Sequence, residues 1–278
     1  MRLEGSVALV TGASSGIGRC IAIELSRHGA RTILLGRNLA ALEETRALLS
    51  DPTQAWVLPL DLADPVARSN IAGLVTDLTG KLDLLVNNAG IVLADRIDDQ
   101  DEESWRQMIE VNLLAPMSLT RHLLGLLKSS GQGRVVNVGS MFGDIAFPYF
   151  VAYSASKFGL RGWSDGLRRE LADQGVGVTY CAPRGTRTPA ADGFMRYVQA
   201  YAMRLDPPEK VARSIVAGIV ADARHVYPLW PERLFVVLQS LFPSLVDQGI
   251  SRQSKSAAIS LPGRTPQSDD RSVAILRP

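Results

Sequence analysis

Val7-Ala8-Leu9-Val10-Thr11-Gly12-Ala13-Ser14-Ser15-Gly16-Ile17-Gly18 is the stretch on which the fold turns. An apolar run without polar alternation leads into three glycines, and an amphipathic stretch from Ile17 to His28 follows at once. The run has the length of a strand and the later stretch the period of a helix. Gly12, Gly16 and Gly18 allow a tight turn between them and let the backbone, with Ser14, Ser15 and Ile17, close on a pyrophosphate. Such a group suits the free N–H groups and positive end of a helix start. An ordinary strand-to-helix loop explains the glycines alone, but the flanking strand and helix favour the phosphate-binding turn.

The same alternation continues outward. Apolar runs at Thr32–Leu35, Trp56–Leu60, Leu82–Val86, Arg134–Val138 and Val176–Cys181 are separated by helical stretches at Leu39–Leu49, Pro65–Leu78, Met108–Lys128 and Tyr153–Ala172. Strands without polar alternation must be covered on both faces, and crossover helices do this for parallel strands. The pattern predicts one open, doubly wound α/β parallel sheet in a single domain over 1–228. Past Cys181 the pattern changes to Pro, Gly and Thr punctuation, read as a substrate lid over 189–210 with a helix from Phe194 to Leu205. A helix after Pro207-Pro208 and a last strand at Arg224–Tyr227 close the domain. Residues 229–250 read as an apolar C-terminal helical extension and 251–278 as a loosely ordered tail.

The 278 residues are 46% hydrophobic and 21% charged, which fits a packed core and not disorder. A formal charge of +2 is too small for the dense basic field of a nucleic-acid binder. Cys20 and Cys181 lie far apart, and His28, His122 and His225 are scattered, so no metal site and no disulfide framework is expected. Met1 to Val10 lacks a secretory pattern, and nothing later reaches about 18 unbroken apolar residues. A reducing, cytoplasmic location follows as the expectation.

A site for NAD usually carries a carboxylate about 20 residues past the glycines, on the ribose 2′-hydroxyl. The second strand here ends Leu35-Gly36-Arg37-Asn38 with no acid, and Arg37 is suited to a 2′-phosphate. The expected cofactor is therefore NADP(H) in preference to NAD(H), with Arg37 and Asn38 at its ribose. Asp61, in Leu60-Asp61-Leu62, belongs beside the adenine with Leu62, and a helix-capping aspartate is the competing reading. Asn87-Asn88-Ala89-Gly90 follows the fourth strand, where Asn88, Ala89 and Gly90 permit close approach to a ribose.

Tyr153-Ser154-Ala155-Ser156-Lys157 puts a phenol and an ammonium on one helix face. Lowering a tyrosine by about three pKa units takes about 4 kcal/mol of preferential phenolate stabilisation. A lysine cation in a water-poor cleft supplies part of it, making the pair a proton donor and acceptor. Alone, this spacing more often marks a solvated helix face. Ser140 ends the fifth strand at the same sheet edge, with a hydroxyl for a substrate oxygen. Asn112 interrupts an apolar helix, either satisfying backbone groups or holding a water next to Lys157.

Together these motifs resemble the short-chain dehydrogenase/reductase family over roughly residues 3 to 225: TGASSGIG at 11 to 18, NNAG at 87 to 90, Asn112, Ser140 and YSASK at 153 to 157, in family order. The resemblance implies a Rossmann-type fold, hydride exchange with nicotinamide, and a catalytic tetrad of Asn112, Ser140, Tyr153 and Lys157. In the family's scheme Tyr153 protonates the carbonyl oxygen, Ser140 polarises it, Lys157 holds the nicotinamide ribose and tunes Tyr153, and Asn112 maintains a proton relay. Pro183, Thr186 and Thr188 then fall at the nicotinamide, and a homodimer or homotetramer is implied. Arg184 stands where the family usually has glycine, and either recognises an anionic group of the substrate or pairs with local carboxylates.

Phe147, Tyr149, Phe150, Phe194, Met195, Tyr197, Val198, Tyr201 and Met203 suit a pocket for a hydrophobic or acyl-chain small-molecule substrate, and core packing explains them equally well. Leu234, Leu238, Leu241 and Leu245 recur at helical spacing, giving an apolar face for the domain or a second subunit. Peripheral membrane contact through 229–250 is the competing reading. The functional reading is an NADP(H)-dependent oxidoreductase for a ketone or secondary alcohol. Its alternative is a non-catalytic nucleotide-sensing or scaffold protein with the same fold.

Overall fold

Residues 1–228 and 230–260 are described by the computed structural model, with side chains excepted at 230–233 and 256–260. Strands β1 (Val7–Thr11), β2 (Arg31–Gly36), β3 (Ala55–Pro59), β4 (Leu84–Asn87), β5 (Arg134–Val138), β6 (Gly177–Cys181) and β7 (His225–Val226) form one sheet, ordered β3-β2-β1-β4-β5-β6-β7. Every pairing is parallel, as the lack of polar alternation requires. The connecting helices are α1 (Gly16–Arg27), α2 (Leu39–Ala47), α3 (Pro65–Ser69), α4 (Ile71–Thr79), α5 (Glu102–Ile109), α6 (Ala115–Ser129) and α7 (Val151–Glu170). After β6 come α8 (Pro189–Asp192), α9 (Met195–Ala200) and α10 (Pro208–Val220), and after β7 come α11 (Trp230–Leu241) and α12 (Pro243–Ser260).

Successive residues of each strand feed opposite faces, and both faces are buried. Ala8, Val10 and Leu34 pack with Ile21 and Leu25 of α1 and Ile215 of α10. Val7, Leu9 and Ile33 pack with Val75 of α4, Leu123 of α6 and Leu167 of α7. The chain steps one way from β1 to β3 and the other way from β4 to β7. Connections therefore diverge between β1 and β4, and a crevice opens at their carboxyl ends. Gly18 lets α1 pack closely there, because a Cβ at this position would stand 2.2 Å from the Gly12 carbonyl oxygen.

Several boundaries differ from the periodicity reading. The stretch Pro65–Leu78 is two helices, since Asn70 (φ −90°, ψ −2°) closes α3 and opens α4. The helix expected from Met108 starts at Glu102, where Asp101 Oδ1 accepts from the Ser104 N–H at 2.7 Å. It passes through a π turn at Glu110–Leu114 before continuing as α6. The lid helix expected over Phe194–Leu205 is only Met195–Ala200, and Ala202 beyond it has φ +47°.

The C-terminal expectations need two corrections. Residues 251–260, read as loose tail, continue α12, and Gln253 and Ser254 there bond to Tyr201 of the lid at 3.1 Å each. Residues 261–278 lie outside the described residues. The break at Phe242-Pro243 bends the two helices by 111°, so the expected stripe does not run on as one face. Val236 and Val246 are buried against Ile145, whereas Leu234, Leu241 and Leu245 of the expected stripe are exposed.

Candidate active site

Where β1 and β4 part, a cavity of about 1410 Å³ runs from the glycine turn to the lid. Its nucleotide arm is lined by Gly12, Ser14, Ser15, Gly16 and Ile17. Gly12 (φ +66°) and Gly16 (φ +54°) take left-handed conformations that a side chain would strain. Ser15 occupies the N-cap of α1 without a side-chain cap bond, leaving the first-turn amides to a ligand. Gly18 is one layer behind, in the α1 packing already described. These features fit a dinucleotide: a cradle that Cβ atoms would fill, at the N-terminus of a helix.

Arg37 is exposed on the cavity rim and makes no ion pair among the described residues. Asn38, the next residue, is not among those lining the cavity: its Oδ1 accepts from the Ala41 N–H at 3.0 Å and caps α2, which commits the side-chain oxygen to the helix. Asp61 and Leu62 both line the cavity. Asp61 Oδ1 also accepts from the Ala63 N–H at 2.9 Å, while Asp64 is the cap of α3, so Asp61 shapes its loop without starting the helix. Asn88, Ala89 and Gly90 line the central stretch. Thr11 Oγ1, a residue the motif reading passed over, accepts from the N–H groups of Asn88 and Ala89, and Asn88 Nδ2 donates to Thr11 O. Those bonds tie the end of β4 to the end of β1.

Ser140, Tyr153 and Lys157 meet on the opposite wall. Ser140 follows β5, where Gly139 and Gly143 let the Tyr180 ring lie directly beneath; Tyr180 OH donates to Ser140 O at 3.3 Å. Behind this loop the buried Asp144 pairs with Arg161 and accepts from Tyr227 OH at 3.2 Å. Burial pushes the Asp144 carboxyl up to about 6 against the pull of Arg161. Tyr153 and Lys157 stand one turn apart on α7, with Nζ 5.8 Å from the phenol ring centroid. Lys157 is 3% exposed and donates to Val138 O at 3.1 Å. Gly90 leaves it room, since a Cβ there would be 3.4 Å from Nζ.

The expected lowering of Tyr153 by Lys157 is not what these residues produce by themselves. Burial pushes the phenol up to about 12, opposed by its hydrogen bond with Ser140. The same desolvation brings Lys157 down to about 8. Both shifts disfavour the charged form, and at this separation desolvation outweighs the mutual attraction.

Asn112 lies beneath the cavity wall, fully buried in the π turn. Its Oδ1 accepts from Ile91 N–H at 2.8 Å, and its Nδ2 donates to Ile91 O at 2.9 Å and to Ser156 Oγ at 3.1 Å. Of its two sequence readings, the satisfaction of backbone groups is the one its side chain displays. Ser156, 44 residues away, carried no spacing signal that would have linked the two.

Pro183, Thr186 and Thr188 line the arm beneath the lid, with Thr188 Cγ2 packed close over Gly16. Arg184 makes a bidentate pair with Asp206, 2.7 Å at both oxygens, a contact of the local-carboxylate kind. The aromatic residues divide between the two roles expected of them. Phe150, Tyr197 and Tyr201 are buried in one cluster, yet Phe147, Phe150, Phe194, Tyr201 and Met203 also present surface to the cavity. Gln253 of α12 lines it too, a residue that the reading of 251–278 as tail could not reach.

The sequence model of the short chain dehydrogenase family matches residues 6–196. Dehydrogenase/reductase SDR family member 7B of Mus musculus is 37% identical over 186 residues, 65% of this chain, and the match spans 58% of that relative's length. The 3-oxoacyl-acyl-carrier-protein reductase FabG of Vibrio cholerae is 32% identical over 226 residues, 81% of this chain and 88% of the relative. The crystal structure of a short-chain dehydrogenase from Streptomyces avermitilis superposes with a TM-score of 0.76 at 31% identity, covering 91% of this chain and 99% of that one.

The desolvated ammonium gives a stability signature. The folded-state value of Lys157 lies below its unfolded value of 10.5, so folding disfavours the cation wherever both states are protonated. Lys157→Met should therefore stabilise the protein at pH 7 by on the order of 2 kcal/mol, allowing for the lost bond to Val138 O. Wild type should close the gap as pH rises from about 8 towards 10.5. Urea denaturation across that range checks both the sign and the window.

Proposed function

The chain belongs to the short-chain dehydrogenase/reductase family, and from that premise we propose that it is an NADP(H)-dependent oxidoreductase for a ketone or secondary alcohol on a hydrophobic, acyl-chain-like body. The observation that carries this reading is the convergence of Ser140, Tyr153 and Lys157 on one wall of a cavity whose far arm is the glycine cradle. The aromatic lining supports an apolar substrate, and a 3-oxoacyl reductase among the relatives supports an acyl-chain carbonyl. Arg37, at the rim and without an ion pair among the described residues, supports a 2′-phosphate in place of a free hydroxyl.

When bound, NADP(H) supplies or accepts the hydride. The remaining work falls to the chain. A phenol held near 12 keeps its proton at neutral pH, so Tyr153 donates it to a carbonyl oxygen as negative charge develops there. Ser140 presents its hydroxyl to the same oxygen and polarises the bond. The phenolate left on Tyr153 is stabilised by the Lys157 ammonium, whose cost of burial is offset as its counter-charge forms. Asn112 fixes Ile91 and Ser156, and with them the floor between the two arms.

The family's frequent self-association supports a homodimer or homotetramer. No single described helix is long and apolar enough to cross a membrane. The exposed side chains of Leu234, Phe235, Leu241, Phe242 and Leu245 support peripheral contact with a bilayer. Leu241→Glu with Phe242→Glu should then abolish co-flotation with phosphatidylcholine/phosphatidylserine vesicles. Flotation absent in wild type, with a change of oligomer size in the variant, would assign the face to a second copy instead.

Tyr153→Phe should lower carbonyl-dependent NADPH oxidation by about 10³-fold or more while NADPH still binds by fluorescence titration. Undiminished turnover would remove Tyr153 from its role, and a wild type inert towards long-chain ketones, acyl thioesters and steroids would favour a nucleotide-sensing protein. Arg37→Asp should raise the NADPH KM by at least about tenfold and spare or improve the use of NADH, given the strength of a guanidinium–phosphate pair. An unchanged cofactor preference would mean that the 2′-phosphate is not read by Arg37.

A further inference from the structure

Arg68 is a guanidinium where the fold gives little reason for one. It sits on the five-residue helix α3 and is 5% exposed. Its Nη1 donates to the Leu62 carbonyl, its Nη2 forms an ion pair with Glu110 Oε1 at 2.5 Å outside hydrogen-bond geometry, and its Nε has no hydrogen-bond partner among the described residues. Burying such a cation is costly, and an apolar side chain of similar volume generally fills a purely packing position with equal or better stability. What distinguishes Arg68 is the pair of groups it holds. Leu62 belongs to the loop after β3 that, with Asp61, lines the nucleotide arm of the cavity. Glu110 lines the same cavity further along and is the first residue of the π turn, accepting the Ala115 N–H five residues on.

That π turn carries Asn112, which clamps both backbone groups of Ile91 and reaches Ser156, the neighbour of Lys157 on α7. One buried side chain thus spans from the nucleotide loop to the turn that fixes the catalytic helix. We propose that Arg68 is a positioning residue, a strut that locks the Asp61-Leu62 loop to the Glu110–Leu114 turn so that cofactor binding and the seating of Asn112 are mechanically coupled. The inference rests on the NADP(H) reading above for what the nucleotide arm holds. Without the strut, the loop relaxes away from the nucleotide and the π turn loses its anchored first residue. Both the cofactor KM and kcat then suffer, although Arg68 is not among the residues that line the cavity.

The test separates this coupling from simple packing. Arg68→Met with Glu110→Met removes both charges and retains apolar volume, so a packing role predicts wild-type kinetics at wild-type stability. The strut predicts a folded double variant, close to wild type in Tm, with NADPH KM raised and kcat lowered by about tenfold each, as expected of a small misplacement. Glu110→Gln keeps an acceptor for Arg68 without the charge, and decides the matter if the double variant does not fold. It should show the same paired change, severalfold in size. Amide hydrogen exchange at Ile91 and Leu62 should quicken together in either variant. NADPH affinity by fluorescence titration and hydrogen exchange need no turnover, so they test the strut even if no carbonyl substrate is found. Wild-type affinity, kinetics and exchange in a folded variant would overturn the proposal, and faster exchange at Leu62 with Ile91 unchanged would overturn the coupling.

Discussion

A lysine ammonium with almost no contact with water is held against the Val138 carbonyl, 3.1 Å away, where β5 ends. Holding a cation there requires that everything around it be fixed in advance, because a buried charge is tolerated only with partners in place. The parallel sheet provides that fixity. Seven strands finish at one edge, so the end of β5 supplies an acceptor, and the loop after β4 supplies Gly90, whose missing Cβ leaves the ammonium its space. Tyr153 is then carried to its place by the helix that carries Lys157, one turn apart. The chemistry of the cleft is thus a consequence of where strands stop.

The glycine turn and the lysine are two ends of one constraint. Gly12 and Gly18 permit backbone atoms to approach within distances that a side chain would forbid, which draws α1 and the β4 loop together. Asn88 and Thr11 lock that approach with three hydrogen bonds, and the floor of the cavity becomes continuous from nucleotide arm to reaction wall. A cost of this construction is visible in the direction of the shifts at Tyr153 and Lys157. Both groups are pushed towards neutrality, so the site is poised to gain stability when opposite charge develops beside the ammonium.

Above the floor, the roof is apolar and borrowed from distant parts of the chain. Phe142, Phe147 and Phe150 come from the approach to α7, Tyr197 and Tyr201 from the lid, and α12 closes the far side through Gln253 and Ser254. Ring pairs such as Phe147–Tyr201, 4.8 Å between centroids, hold these pieces to one another. Core and pocket lining are therefore not alternatives for these residues: Tyr201 is nearly fully buried and also faces the cavity.

The fold was legible in sequence because its signals are local. Apolar runs without alternation, glycines at a strand–helix junction and a Tyr-x-x-x-Lys turn need only neighbouring residues to be read, and each lies within about an element of where it was expected. Asp101 shows a local signal overlooked, as an acid followed by Glu102 and Glu103 is an ordinary helix start. Asn38 shows a local signal outvoted: placed after Arg37 it suggested a ribose, and the helix behind it claimed its oxygen. The register of one π turn, the pairing of Arg184 with Asp206, and the bend at Pro243 depend on what the chain meets in space. The sequence by itself determined the sheet and the glycine turn, and it named side chains that line one cavity, because hydrophobic period and glycine freedom act over a few residues. Only the tertiary structure decided which charges are desolvated, which are paired and how Arg68 reaches Glu110. Those quantities are set by atoms that the chain brings together across intervals of 20 to 50 residues, and no periodicity encodes them.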